Sequence, residues 1–102
     1  MKTILLKGLF SVSLLIMFVS CGEKPEADFT WEPMEPKAGE PIKFKNLSTG
    51  ARSYSWNFGD MSIGSETNPT HTYQRSGNYI VDLLALKGLS SDEKTVIITV
   101  TN

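Results

Sequence analysis

Beyond residue 26 the hydrophobic positions alternate with polar ones in short runs, and prolines, glycines and asparagines separate these runs. Alternation with a period of two places every second side chain on one face, which is typical of β-strands with one buried side. No segment of this region has a helical period. The alternating apolar positions are Ala27, Phe29 and Trp31; Ile42 and Phe44; Tyr54, Trp56 and Phe58; Tyr79, Val81, Leu83 and Ala85; and Val96, Ile98 and Val100. We therefore predict an all-β domain.

The spacing of these runs also indicates the kind of β fold. Short strands with frequent turn signals and a tryptophan in a middle strand, Trp56, favour an immunoglobulin-like sandwich. We predict two sheets with about seven strands in Greek-key order over residues 27–102, with Trp56 between the sheets and Tyr54 and Phe58 on the same face. The single cysteine cannot form a disulfide within the chain, so packing alone must stabilise this small domain.

The first twenty residues have the pattern of a secretory signal. Lys2 and Lys7 precede an uncharged stretch over residues 8–22, and Ser20 lies just before the only cysteine. This stretch is shorter than the roughly 20 apolar residues that a membrane-crossing helix needs. We therefore predict a cleaved signal peptide over residues 1–20.

The residues around the cleavage point carry a resemblance of their own. Phe18-Val19-Ser20-Cys21 resembles the lipobox of bacterial lipoproteins. The resemblance implies that Cys21 receives a diacylglycerol on its thiol and that residues 21–26 form a short tether to the membrane. Gly22 after the cysteine implies, by the same resemblance, sorting to an outer membrane, with the domain facing the periplasm or the cell surface. The alternative is an incidental free cysteine.

Charge limits the classes of partner. The formal net charge of the whole chain is −1, and it becomes −3 when Lys2 and Lys7 are removed with the signal. A mildly acidic surface does not attract phosphates, so we expect no nucleic acid partner.

Four ordered motifs carry a resemblance to a known family. They are FKNLSTG at 44–50, WNFGD at 56–60, NPTHTY at 68–73 and GNYIV at 77–81. They resemble the F-x-N-x-S-x-G, W-D-F-G-D-G, N-P-x-H-x-Y and G-x-Y-x-V motifs of PKD domains, over about residues 27–101 of the chain. Two positions depart from the pattern, namely Asn57 in place of Asp and Met61 in place of the last Gly. Glycine at residue 61 would permit positive φ, so we expect the turn after Asp60 to differ from that of the family.

The resemblance implies structural roles for the motif residues, which are Trp56, Phe58, Gly59, Asp60, Pro69, His71, Tyr73, Gly77 and Tyr79. Asp60 is expected in a turn, where Asp side chains bond to nearby backbone amides, and a metal-ligand role is the alternative. His71 is the only histidine, so a hydrolase with a histidine base would have to use it, but no G-x-S-x-G or H-E-x-x-H motif accompanies it. We expect no enzyme activity, no cofactor and no metal.

Two surface features are candidates for binding. Ile80, Leu84, Leu86 and Ile97 alternate with inward positions, so their side chains are expected to face outward, and an exposed apolar patch there would mark a protein contact. Partial cover by a loop, or side chains that merely favour β-structure, is the alternative. Trp31 either stacks on a sugar ring or covers the open end of the core.

These patterns predict a membrane-anchored lipoprotein whose single PKD domain binds protein or glycan, or acts as a spacer, at the bacterial cell envelope. The expected partners are the membrane, through the lipid on Cys21, and a protein or glycan ligand. The rival hypotheses are a carbohydrate-binding accessory to polysaccharide-degrading enzymes, a subunit of a larger envelope assembly, and a small hydrolase that uses His71.

Overall fold

Seven β-strands in two sheets make up the computed structural model, which describes residues 24–102. The strands are β1 (Phe29–Glu32), β2 (Pro41–Asn46), β3 (Ser53–Asn57), β4 (Ile63–Gly64), β5 (Thr70–Thr72), β6 (Gly77–Lys87) and β7 (Ser90–Val100). The predicted signal peptide over 1–20 and Cys21 lie outside the described residues. Within residues 24–102 there is no helix of the length and apolarity that a membrane crossing requires.

The chain crosses between the two sheets three times. One sheet has the strand order β1-β2-β5 and the other has the order β4-β3-β6-β7, so the crossings follow β2, β4 and β5. All neighbouring strands are antiparallel. The all-β, immunoglobulin-like sandwich that the sequence predicted is therefore confirmed. Strand β4 was not predicted, because two residues are too few to show an alternating pattern.

The alternating apolar residues of both sheets meet in one core. Trp56 is completely buried at its centre, and its indole Nε1 donates a hydrogen bond to the carbonyl oxygen of Glu66 at 2.8 Å. The Trp56 ring lies parallel to the Phe58 ring, with centroids 6.0 Å apart, and edge-on to the Phe29 ring at 5.0 Å. The other buried apolar residues are Ile42, Phe44, Tyr73, Val81, Leu83, Ala85, Ile98 and Val100. Removing these side chains from water is what holds the two sheets together.

Strands β6 and β7 form a long hairpin that pairs over its whole length. Its two-residue turn consists of Gly88 and Leu89, and Gly88 has φ 61°, which glycine adopts without a steric penalty. Strand β3 pairs with β6 only from Asp82 to Leu86. The first half of β6 therefore has a hydrogen-bonded strand on one side only.

The edge strands β1 and β7 lie on the same side of the sandwich, which we call the open side. The segment leading into β1 contacts the inward face of β7: the Ala27 N–H donates to Asp92 Oδ2 at 2.8 Å, and Lys94 Nζ lies 3.3 Å from Asp28 Oδ1. Charged side chains at these inward positions of an edge strand also hinder pairing with other chains. At the far end of β7, the Ala38 N–H donates to the Thr101 carbonyl oxygen at 2.7 Å.

The packed part of the chain begins earlier than residue 27, the first residue of the predicted domain. Pro25 is buried. Glu26 exchanges two backbone hydrogen bonds of 2.9 Å with Thr49. Two residues that the sequence assigned to the tether thus make contacts with the sandwich.

Candidate functional site

The motifs WNFGD and NPTHTY meet through Asp60 and His71. The Oδ2 atom of Asp60 lies 2.8 Å from Nε2 of His71, and its Oδ1 atom accepts the Ser62 N–H at 3.1 Å. Partial burial raises the pKa of Asp60, but the hydrogen bonds with His71 and Ser62 outweigh this and leave the pKa below its usual value. The Asp60 carboxylate is therefore engaged by protein groups on both oxygens.

Aromatic rings hold His71 in place. Its ring is stacked on Phe58 with centroids 4.2 Å apart, and it meets the edge of Tyr73 at 4.7 Å. The Tyr73 hydroxyl donates to the carbonyl oxygen of Phe58 at 2.7 Å. Burial raises the pKa of Tyr73 far above its usual value, and the charges of Asp60 and Tyr79 add to the effect. We call Phe58, Asp60, His71 and Tyr73 the motif cluster.

Gly59 is required by a close backbone approach. It has φ 85°, and a Cβ atom on it would lie 2.5 Å from the carbonyl oxygen of Ile80. Any other residue would therefore push β6 away. The Gly59 N–H donates to the side-chain oxygen of Asn57 at 3.0 Å, so Asn57 supplies the side-chain acceptor that an Asp would supply.

The turn after Asp60 contains a residue with a left-handed backbone conformation, although that residue is Met61 and not glycine. Met61 adopts φ 75° and is 99% exposed. A left-handed conformation disfavours a residue with a Cβ atom by about 1–2 kcal/mol. Met61 thus adopts an angle that a glycine would adopt without strain, and within residues 24–102 its exposed side chain has no packing contact that would offset the strain.

The remaining motif residues connect neighbouring strands. The Tyr79 hydroxyl donates to the Arg75 carbonyl oxygen at 2.7 Å, which is the tyrosine corner of immunoglobulin-like folds, and its ring stacks on Tyr73 at 4.0 Å. The buried Pro69 accepts the Phe44 N–H on its carbonyl oxygen at 2.9 Å. Gly77 begins β6 opposite the end of β7. The motif residues thus contact one another and the neighbouring strands inside the fold.

A groove of about 460 Å³ lies on the open side. It is lined by Trp31, Met34, Glu35, Lys37, Ile97, Ile98, Thr99 and Thr101. Trp31 is half-buried and packs against the core, while Met34 is 62% exposed. The Nε1 atom of Trp31 is buried and has no hydrogen-bond partner within residues 24–102. The part of the Trp31 indole that lines the groove therefore consists of carbon atoms. We call this groove the Trp31 groove.

The four outward apolar residues differ in exposure. Ile80 and Ile97 face each other across β6 and β7 and are 59% and 65% exposed, whereas Leu84 and Leu86 are only half-exposed. Asp82 lies between the two groups and accepts a hydrogen bond from Thr95 on its own face of the sheet. The four residues therefore do not form one continuous patch.

Ile97 belongs to both features that the sequence singled out separately. It faces Ile80 on the outer side of the sheet, and it also lines the groove beside Trp31. The apolar surface consequently continues from Ile80 around the edge strand to Met34. Sequence reasoning missed Met34, because it lies between prolines in an irregular segment where no periodic pattern marks which side chains are exposed.

On the outer face of the sheet, neighbouring acidic side chains change the pKa of Glu93. The pKa of Glu93 is raised by its side-chain hydrogen bond with Asp82 and by the charges of Asp82 and Asp92. No group of three or more His, Cys, Asp or Glu side chains placed to hold a metal ion is found in the part of the chain that the structure describes.

Comparison with known families gives a match over most of the chain. The family model described as PKD domain matches residues 22–101. The chain is 45% identical over 72 residues to Collagenase ColA of Bacillus cereus and 43% identical over 67 residues to Collagenase ColQ1 of Bacillus cereus strain Q1. These alignments cover 64% and 57% of the chain but span only 8% and 7% of the two collagenases.

Solved structures resemble the sandwich closely. One, described as concerning the promiscuous specificity of carbohydrate-binding modules from the β-sandwich superfamily, gives a TM-score of 0.73 at 31% identity, over 78% of this chain and 35% of that chain. The PKD1 domain of the Vibrio cholerae metalloprotease PrtV gives a TM-score of 0.68 at 26% identity, over 78% of this chain and all of that domain. This chain is thus similar to one module that larger proteins carry.

Proposed function

The chain belongs to the PKD domain family, and on this basis we propose that it is a non-catalytic interaction or spacer module held at the cell envelope by a lipid on Cys21. Its relatives include collagenases and a metalloprotease, of which such a domain forms only a part. This chain matches only that domain and not the remainder of those enzymes. We therefore propose for it the role of an accessory module and not their enzymatic activity.

One observation carries the proposal. The polar groups of the motif cluster bind one another, whereas the Trp31 groove and the adjoining Ile80 present exposed apolar surface without such internal hydrogen bonds. Exposed apolar surface of this kind is typical of contact sites. The proposed contact residues are Trp31, Ile97 and Ile80, with Leu84 and Leu86 as a less exposed extension.

A hydrolase that uses His71 is the weakest of the rival hypotheses. The His71 ring is only 15% exposed, and it is stacked on Phe58 while one nitrogen bonds Asp60. A general base must be able to reach a proton on a substrate. These contacts support a structural role for His71, in which a residue of β5 holds Asp60 in the turn after β3.

Glycan binding is the second candidate function. Two observations favour it: the indole carbons of Trp31 line a groove, and a structural neighbour was studied for carbohydrate binding. Aromatic rings present apolar faces on which the carbon-bound hydrogens of a sugar ring can pack. The relatives named collagenases favour a protein ligand instead, so fibrillar collagen and glycans are the two probes to compare.

The binding test compares three variants on a glycan array and on immobilised fibrillar collagen. Ile97→Thr keeps a β-branched side chain but removes apolar surface from the groove, and we expect it to weaken binding to whichever probe the native chain retains. Trp31→Ala should do the same. Ile63→Thr is the matched control, because Ile63 is also an exposed isoleucine but lies on β4, away from the groove. Equal binding by all three variants contradicts the assignment of the groove.

The anchoring test uses metabolic labelling with an alkyne fatty acid, followed by detergent-phase separation. We expect the native chain to carry label and to enter the detergent phase, and Cys21→Ser to do neither. Mass spectrometry of the mature amino terminus should find an acylated Cys21. Separation of outer from inner membranes then tests the proposed outer-membrane location. An unmodified thiol at Cys21 contradicts the anchor but leaves the binding proposal intact.

A further inference from the structure

The chain emerging toward Cys21 is held tightly at one end of the sandwich. Pro25 is buried, Glu26 is paired with Thr49, and the Ala27 N–H bonds Asp92. Lys24, Pro25, Glu26, Thr49, Gly50 and Asp92 together line an open depression at this end. Between Cys21 and Lys24 there are three residue steps, which span at most about 11 Å. A lipid on Cys21 would therefore bring this end of the domain against the headgroups.

The tip of the β6–β7 hairpin projects from the same end. Arg52 donates its backbone N–H to the Leu86 carbonyl oxygen at 2.7 Å, just before the hairpin turn, and Asp92 borders the depression that contains Lys24. Leu89 occupies the turn and is fully exposed. An apolar side chain at the tip of a hairpin thus extends beside the point where the chain leaves toward the proposed lipid.

Basic residues surround this tip. Lys24 and Arg52 are exposed, and Lys87 immediately precedes the turn. The ion pairs found within residues 24–102 are His71–Asp60 and Lys94–Asp28, so neither Arg52 nor Lys87 is neutralised by a described partner. Two acidic residues of this end are engaged internally, Asp28 with Lys94 and Asp92 with the Ala27 N–H. Glu26 and Glu93 remain as exposed acids, against the three basic residues.

We propose that this end of the sandwich docks onto the lipid bilayer, with Leu89 in the headgroup region and Lys24, Arg52 and Lys87 facing anionic lipid. The proposal rests on the proposed lipidation of Cys21, and it adds an orientation to it. The lipid on Cys21 would supply the anchor, and a basic patch with an apolar side chain would set the orientation of the domain on an anionic surface.

The orientation leaves the Trp31 groove free. Ile97 is eight residues beyond Leu89 along β7, which at about 3.3 Å per residue places it roughly 26 Å further along the strand. The docked end and the groove therefore lie toward opposite ends of one rigid hairpin. The surface proposed for binding a ligand would point away from the membrane.

The test uses the full mature lipidated chain, purified from membranes and reconstituted into vesicles of phosphatidylethanolamine and phosphatidylglycerol. Cys21 is the only cysteine, and its thiol is blocked by the lipid, so Leu89→Cys can be labelled selectively with an environment-sensitive fluorophore. Met61→Cys is the matched control, because Met61 is also fully exposed but lies in the turn at the far end of β3. A nitroxide-labelled lipid in the vesicles quenches only fluorophores close to the bilayer.

We expect quenching of the Leu89 label to be several-fold stronger than quenching of the Met61 label, together with a blue shift of its emission. The double variant Arg52→Gln, Lys87→Gln should reduce quenching at Leu89 in vesicles that contain phosphatidylglycerol. High salt should have the same effect, because it screens exposed charges.

Three outcomes overturn the docked orientation. Equally weak quenching at both positions, with the protein still on the vesicles, contradicts docking but leaves the lipid anchor intact. A blue shift at Leu89 that grows with the amount of protein per vesicle, without stronger quenching by the nitroxide lipid than at Met61, identifies a second copy of the chain as the occupant. Failure of the purified chain to associate with vesicles at all contradicts the anchor and the orientation together.

Discussion

The motif cluster and the Trp31 groove use aromatic side chains in opposite ways. In the motif cluster, His71 and Tyr73 are held by hydrogen bonds to Asp60 and to the Phe58 carbonyl oxygen, and the rings cover one another. In the groove, Trp31 is half-buried and its neighbour Met34 is exposed. The same residue class thus closes the fold at one place and leaves apolar surface open at another.

The contrast separates stability from recognition. A polar or aromatic group that bonds its neighbours in the fold cannot bind a ligand without first losing those contacts. The groove residues are under no such constraint, because their exposed atoms gain partners only when something binds. Substitutions in the motif cluster should therefore change stability, and substitutions in the groove should change binding.

The largest effect is expected for the two tryptophans. Trp56→Ala removes a completely buried side chain and should lower the free energy of unfolding by about 3–5 kcal/mol. A domain of this size has roughly 4–12 kcal/mol in total, so the variant should lose a large part of its stability. Trp31→Ala should lower it by only about 1–3 kcal/mol, because the side chain is only partly buried. Urea unfolding of both variants, followed by circular dichroism, measures the difference; equal losses would contradict the distinction between the buried core around Trp56 and the groove.

Two glycines with similar backbone angles give the next largest effect. Gly59 and Gly39 have φ 85° and 86°, but a Cβ atom at Gly39 would meet nothing within 4 Å. Gly39→Ala should therefore cost about 1 kcal/mol through backbone strain alone. Gly59→Ala should cost about 2–4 kcal/mol, because its Cβ also collides with the Ile80 backbone. Thermal unfolding of the pair isolates the collision, and equal changes in Tm would show that β6 can move aside.

The Asp60–His71 contact predicts a dependence of stability on pH. Since the pKa of Asp60 is lowered in the folded state, its contribution is present above about pH 4 and is lost as the pH falls through the folded-state value. Asp60→Asn should therefore be less stable than the native chain by about 1 kcal/mol at neutral pH, and the difference should shrink toward pH 2. Urea titrations across this range measure it.

Asp82→Asn is the control for this prediction. Asp82 lies on the outer face, where it accepts a hydrogen bond from Thr95 and raises the pKa of Glu93. Its replacement should leave stability at neutral pH almost unchanged, because it removes a repulsion between carboxylates together with an exposed hydrogen bond. A loss as large as that of Asp60→Asn would remove the contrast between the two sites.

The smallest effect is expected at Met61. Met61→Gly relieves the left-handed strain but increases the freedom of the unfolded chain, so a net gain of about 0.5–1 kcal/mol is expected. Met61→Ala keeps the Cβ atom and removes only exposed atoms, so it should change nothing. A loss of stability in Met61→Ala would contradict the full exposure of the Met61 side chain, because it would show that this side chain makes a stabilising contact.

Much of the fold could be read from short-range pattern. The inward positions of β6 were predicted from alternation, and Val81, Leu83 and Ala85 are fully buried. The two shortest strands could not be predicted in this way. Strand β5 lies inside the NPTHTY motif, and β4 is too short to show any alternation. Alternation identifies the face of a strand, but the length of its pairing depends on which strand lies beside it.

The outer apolar residues show why exposure could not be read in the same way. Leu84 and Leu86 lie in the stretch of β6 that pairs with β3 as well as with β7, and they are half-exposed. Ile80 lies before that stretch and Ile97 is on an edge strand, so both have fewer neighbours and are more exposed. All four alternate with inward residues in the same way, and only the arrangement of the neighbouring strands distinguishes them.

The sequence by itself determined five of the strands (β1, β2, β3, β6 and β7), the buried face around Trp56 and the family resemblance, because each depends on residue type and on spacing along one segment. Only the tertiary structure decided that Ile97 belongs with Trp31, that Asp60 reaches His71, and that Leu89 projects beside the emerging amino terminus. These pairs lie far apart in the chain. Their proximity follows from strand order and register, which the packing of two whole sheets selects and which no local pattern contains.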